Sequence, residues 1–122
     1  MSQDILLRHM TEAEFQAQII ELAHLRGWVV ATFRPARVLV EGQETYRTAV
    51  GADGAGWPDL ILAKPPRLLV VELKSEKGKL SPEQEAWLEL LRQCMGVQVH
   101  VWRPSDWEEI VWVLSTEVKN KG

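Results

Sequence analysis

Along the chain the apolar positions first follow a helical period. Phe15, Ile19, Leu22 and Ala23 share one stripe, which predicts a helix from about Thr11 to Arg26. Thr11 and Glu14 stand at capping-box spacing, and Gly27 supplies a C-terminal cap. Trp28–Phe33 then reads as a strand, and Arg37–Val40 with Thr45–Val50 as a hairpin around Glu41-Gly42-Gln43-Glu44. Gly51–Gly56 is rich in glycine without the spacing of a phosphate-cradling loop or dinucleotide fingerprint, and reads as a flexible approach to the strands after it. Leu60–Ala63 and Leu68–Leu73 are apolar on both faces, as in strands covered on two sides, and Pro65-Pro66 marks the turn between them. A second helix is predicted from Ser81, with Pro82 in its first turn, a stripe of Gln84, Leu88, Leu91 and Met95, and Gly96 as its close. Val97, Val99 and Val101 alternate as a strand. Ser105 and Glu108 suggest a third helix start, with Trp107, Ile110, Val111 and Leu114 as its apolar face, although Ile110–Leu114 fits a strand equally well.

The charged residues at the ends of the central hairpin carry the candidate chemistry. Positions 59 and 72 are symmetric about the proline pair. With a symmetric loop of two or four residues, Asp59 lies directly opposite Glu72, their Cβ atoms about 4.5–5.5 Å apart. Lys74 joins the same face two residues further on. Two carboxylates that close repel each other unless a cation offsets their charge. A hard divalent ion such as Mg²⁺ suits such a pair, with water and phosphate oxygens completing its shell. A lysine alongside can orient or deprotonate water, or stabilise charge developing on phosphate. The plain alternative is a surface hairpin with an ordinary Glu–Lys pair. Against it stands the position of these charges, at the ends of strands apolar on both faces.

Composition changes this picture only in part. A chain of 122 residues, 46% hydrophobic and 25% charged, suits one domain over 1–122, with a core from about 11 to 115 and a tail at 116–122. No apolar run reaches the length of a membrane span and the N-terminus lacks the form of a signal peptide, so the expectation is a cytoplasmic protein with no membrane partner. Cys94 is the sole cysteine, which excludes an internal disulfide and a zinc cluster of several cysteines. His9, His24 and His100 stand far apart and read as structural. A net charge of −3 weighs against a nucleic-acid partner, which usually meets a basic footprint. Basic residues nevertheless group around the motif: Arg34, Arg37 and Arg47 before it, and Lys74, Lys77 and Lys79 within it. Six tryptophans are many for this length. Most suit a core. Trp57, beside the motif, fits either the core or a stack on a base or sugar, and an exposed Trp87 or Trp112 would hint at a subunit interface.

Pro58-Asp59 followed by Glu72-Leu73-Lys74 resembles the PD-(D/E)XK nuclease signature. The wider string is Gly56-Trp57-Pro58-Asp59-Leu60, then Glu72-Leu73-Lys74, then Gly78-Lys79-Leu80-Ser81-Pro82-Glu83-Gln84, with Trp102-Arg103-Pro104-Ser105-Asp106 near the end. It resembles the VRR-NUC branch of that superfamily from about Thr11 to Ile110. The resemblance implies an α/β, restriction-endonuclease-like fold with a central mixed sheet and helices on both faces. It also implies Mg²⁺-dependent hydrolysis of nucleic-acid phosphodiesters, with Mn²⁺ able to substitute and no organic cofactor. Asp59, Glu72 and the Leu73 backbone carbonyl would hold the metal, with Lys74 positioning or activating the attacking water.

In nucleases similar to this one a glutamate on the first helix completes the metal site. Glu12 falls on the sheet-facing stripe and is assigned that role, with Glu14 as the alternative. A glutamine at the position of Gln84 touches the site in similar nucleases, whereas its capping-box spacing from Ser81 gives it a purely structural task. Where members of the family often carry a histidine after the first strand, this chain has Ala31-Thr32. Stand-alone members suggest cleavage of branched DNA. The expectation is a homodimer that resolves four-way (Holliday) junctions, with Lys77, Lys79, Arg34, Arg37 and Arg47 contacting DNA. A nuclease acting on flaps, ends or nicked duplex, and a non-catalytic binding module, are the alternatives.

Overall fold

The computed structural model describes residues 9–33, 36–40, 43–47 and 51–117, with 36–40 and 43–47 as backbone alone. Arg34, residues 41–42 and 48–50, and the end of the expected tail, 118–122, lie outside the described residues.

Helix α1 spans Glu12–Leu25. Its capping box is closed both ways: Glu14 N–H donates to Thr11 Oγ1 at 3.1 Å, and Thr11 N–H donates to Glu14 Oε1 at 3.3 Å. Glu14 therefore has a structural task as a capping side chain. Gly27 follows with φ at 87°, the left-handed conformation that a side chain resists. Strand β1 (Val29–Thr32), the hairpin β2 (Ala36–Val40) and β3 (Gln43–Arg47), strands β4 (Leu60–Lys64) and β5 (Arg67–Leu73), helix α2 (Pro82–Arg92), strand β6 (Gln98–Trp102) and helix α3 (Trp107–Ser115) complete the order. A single 3₁₀ turn, Pro104–Asp106, leads into α3. Among the described residues no helix is long and apolar enough to cross a membrane.

Four strands form one mixed sheet in the order β1-β4-β5-β6, and β2 pairs with β3 in a separate ribbon. β1, β4 and β5 run antiparallel, whereas β6 lies parallel to β5 and is reached through α2, the crossover a parallel pair requires. The β4–β5 hairpin turns on Pro65 and Pro66 alone, with Lys64 opposite Arg67 and Leu60 opposite Val71. This is the two-residue symmetric loop, so the register carries Asp59 to the position facing Glu72.

The two faces of the sheet differ in cover. Leu60, Leu62, Leu69, Val71, Leu73 and Trp102 point into one core with Phe15, Ile19 and Ala23 of α1 and Ile110 and Leu114 of α3, all fully buried. The stripe that predicted α1 is this contact. Ile110–Leu114 is thus helical, and Val113 rather than Val111 is buried with it. Trp28 and Arg67 tie α3 to the sheet: Trp28 Nε1 donates to Leu114 O at 2.9 Å, and Arg67 Nη1 donates to Val113 O and Thr116 O while its guanidinium lies 5.0 Å over the Trp28 ring.

The opposite face carries α2, whose buried contact is Leu88. Val29, on that face at the far edge, is 74% exposed, so the second layer covers only part of it. Helix α2 also stops at Arg92, short of Gly96, which leaves Met95 in solvent rather than on the stripe.

Candidate active site

Two capped elements and two strand ends meet at the open end of the hairpin. Asp59 sits just before β4. Its Oδ2 accepts the Leu73 N–H at 2.8 Å, and its carbonyl accepts the Phe33 N–H at 2.8 Å. The carboxylate is thereby held by the end of β5, and the Asp59 backbone by the chain just after β1. Glu72, the penultimate residue of β5, is 2% exposed and is the only charged residue in the buried set among the described residues. Its Oε1 accepts the Gln84 amide N–H at 3.3 Å, while its Oε2 is buried with no hydrogen-bond partner among the described residues.

That arrangement has an electrostatic consequence. Burial first, then the adjacent Asp59 carboxylate, pushes the Glu72 carboxyl up to about 9, and the charge on Glu12 adds to this. The Lys74 ammonium acts in the other direction and does not offset it. Glu72 can share a hydrogen bond with Asp59 only by carrying a proton, because two carboxylates offer acceptors alone. Oε2 therefore calls for a proton or a cation. Oxygen donors with this charge suit a hard divalent ion, which takes one or two carboxylates and fills its shell from water and phosphate. Among the described residues no group of three His, Cys, Asp or Glu side chains is placed to hold an ion by itself. An ion at this place would therefore have to draw on the Asp59–Glu72 pair together with backbone and solvent oxygens.

Glu12, in the first turn of α1, stands nearby: its Oε1 takes the Ser75 N–H at 3.4 Å, a long bond. Gln84 makes two contacts at once. Its Oε1 accepts the Ser81 N–H at 2.9 Å to close the capping box of α2, and its Nε2 reaches Glu72. One amide thus couples the start of the helix to the buried carboxylate. Lys77 and Lys79 are exposed on the loop after β5, and Lys77 borders an open cleft of about 600 Å³ with His9, Ser75 and Glu76. Arg37 and Arg47 lie on β2 and β3, and their side chains, like Arg34 entirely, are outside the described residues.

Arg103 is a residue to which the sequence alone attaches no role. Its Nη1 donates to Ser75 O at 2.7 Å and to Gly78 O at 2.6 Å, which clamps the loop that carries Lys77. Glu76 closes the same loop from its other side by accepting the Ser105 N–H at 3.0 Å. Gly78 permits the tight turn, since a Cβ there would meet Ser75 Oγ at 2.8 Å. Arg103→Lys keeps the charge but not the planar fork. It is expected to lower nucleic-acid affinity roughly tenfold, through a loosened loop worth about 1.5 kcal/mol. A binding titration at fixed salt checks this.

The VRR-NUC domain family matches residues 10–106, most of the chain. The chain belongs to that family. VRR-NUC domains are nuclease domains of the restriction-endonuclease-like superfamily, and the mixed sheet with helices is the α/β fold expected of one. No curated protein and no solved structure matches the chain. Within this VRR-NUC domain the matched span holds Glu12, Asp59, Glu72, Lys74 and Gln84, and also Arg103.

Gly56 positions the motif's first half. It adopts φ at 85°, and a Cβ would fall 2.5 Å from the Glu83 backbone carbon at the start of α2. Backbone strain of this kind costs on the order of 1–3 kcal/mol, and the clash adds to it. Gly56→Ala is expected to lower the unfolding free energy by at least about 2 kcal/mol, read from a urea melt as a lower midpoint with an unchanged slope.

Proposed function

We propose that this VRR-NUC domain is a Mg²⁺-dependent, structure-selective DNA endonuclease that acts as a homodimer on four-way junctions, with Mn²⁺ able to substitute. The observation that carries the reading is the buried Glu72 carboxyl, one oxygen without a hydrogen-bond partner among the described residues, beside Asp59 at the end of the sheet. Asp59, Glu72 and the Leu73 carbonyl are the residues that would hold the ion, with Glu12 beside them. Such an ion neutralises phosphate charge and makes water more acidic.

The chain's own groups supply the rest. Leu73 N–H holds the Asp59 carboxylate in place, and the Gln84 amide holds Glu72 Oε1. Lys74 brings an ammonium to the same end, where it orients the attacking water or stabilises charge growing on the phosphate. Hydrolysis joins the water oxygen to phosphorus and expels a sugar oxygen, which takes up a proton. Lys77 and Lys79 line the approach as phosphate contacts, and Arg34, Arg37 and Arg47 extend that set. Trp112, 67% exposed on α3, supports pairing of two copies.

The deciding experiment compares cleavage of a synthetic four-way junction, a flap, a nicked duplex and a single strand, with and without Mg²⁺. Preferential paired nicking of the junction is the expected result. Cutting of flaps or ends instead would move the substrate assignment. Binding without any cutting, together with no heat on Mn²⁺ titration, would make the domain a binding module.

A further inference from the structure

Beside the carboxylate pair the chain builds an aromatic cleft that hydrolysis itself does not use. Phe33, Trp57 and Trp87 border it, and the turns at 51–54 form its other wall, around about 410 Å³. All three rings are half-buried rather than closed over one another. Trp57 meets Trp87 edge-on, with centroids 5.0 Å apart and planes at 82°, and Phe33 meets Trp57 at 6.0 Å and 82°. Perpendicular neighbours make a corner, in which a flat ring can stack on one wall and abut the other.

Each ring is tied to a residue of the site. Phe33 pairs with Asp59 through its N–H, so the two side chains share a face of the sheet, about 5.5 Å apart at Cβ. Trp57 precedes Asp59 by two residues, and Trp87 follows Gln84 by one helical turn. The far wall is held to the same group, because Trp87 Nε1 donates to Asp53 O at 3.1 Å. Ala52 in that wall holds φ at 54°, a conformation that costs a non-glycine residue energy and is kept by its surroundings. Trp57 Nε1 is buried with no acceptor among the described residues, so a ligand edge that reached it would gain a hydrogen bond.

We propose that this cleft seats an unstacked nucleobase of the strand being cut, belonging to a nucleotide that adjoins the scissile phosphate. The proposal rests on the nuclease reading and deepens it: the domain selects DNA whose bases are free to leave the stack, as at a branch point. The chemistry favours a base over other occupants. The cleft is apolar and aromatic, one strand away from the carboxylates where a phosphate would lie, and stacking on aromatic rings accepts any base.

A short DNA strand carrying a single 2-aminopurine, with its other positions abasic, tests this in a chelating buffer in which no cutting occurs. Wild-type protein is expected to bind it and quench its fluorescence, and to bind the fully abasic strand roughly tenfold more weakly. Trp87→Leu should remove the difference, whereas Trp87→Phe should keep most of it. Equal affinity of the wild type for the two strands would overturn the proposal, and needs no variant to fold. A second measurement places an abasic site beside a mapped cut in the preferred substrate. Undiminished cutting there sinks the base seat while leaving the nuclease intact. Base-dependent binding with no cutting of any DNA leaves the seat standing and removes the nuclease reading.

Discussion

Lys74→Ala is expected to reduce metal-dependent cutting of a four-way junction by about a thousandfold, with the fold unchanged. The magnitude is that of losing a positioned acid–base or charge-stabilising group at the reacting phosphate, on the order of 10²–10⁴ in rate. The fold should survive because Lys74 lies beyond β5 and outside the buried core, and its backbone N–H, which donates to Trp102 O at 3.0 Å, is kept by alanine. Asp59→Asn should match it in activity for another reason. The amide oxygen can still accept the Leu73 N–H, yet the charge that would help hold a cation is gone. Single-turnover rates at saturating Mg²⁺, set beside circular dichroism and a urea melt, separate loss of chemistry from loss of structure. Undiminished cutting by both variants would remove these two residues from the mechanism.

Much of this site is legible in the sequence, and the reason is local. The proline pair fixes the centre of the β4–β5 hairpin, so the facing positions follow from symmetry, and the observed pairing of Leu60 with Val71 obeys it. Capping boxes are equally local: Thr11 with Glu14 and Ser81 with Gln84 both close within one turn. Gln84 resists a single reading because one amide has two ends, an oxygen for the cap and a nitrogen for Glu72.

Arg103 escapes for the opposite reason. Its partners are the carbonyls of Ser75 and Gly78, more than twenty positions away, and a backbone carbonyl leaves no mark in a sequence. The cover of the sheet is hidden in the same way. Strands apolar on both faces suggest two full layers, but α2 buries little beyond Leu88 and leaves Val29 exposed. The alternation of Val97, Val99 and Val101 locates β6 yet draws attention to its half-buried side, while Trp102 on the other side is the residue in the core.

The Glu72 carboxyl predicts how the metal-free domain responds to pH. Its folded value near 9 lies far above the ordinary glutamate value of 4.5, so between those limits the native state holds a proton that the unfolded chain has released. Stability then falls as pH rises through that window, by at most about 1.4 kcal/mol per pH unit from this group. Glu72→Gln should abolish that slope. Its amide can accept from Gln84 and donate towards Asp59, which replaces the proton with a permanent donor and spares the buried charge. Thermal melts in chelating buffer at pH 6 and pH 8.5 should show a marked fall for the wild type and little change for the variant.

A bound cation should act on the wild type alone. It competes with the proton for the same oxygens, so Mn²⁺ binding at pH 7 should release about one proton, seen as binding heats that vary with the ionisation enthalpy of the buffer. Saturating Mn²⁺ should also flatten the wild-type pH slope, because the carboxylate then has a charge partner at every pH in the window. Glu72→Gln should release none and should not cut DNA. Mn²⁺ binding to the wild type with no buffer dependence at pH 7 would mean that the ion does not displace the Glu72 proton, and the metal site would have to be drawn elsewhere.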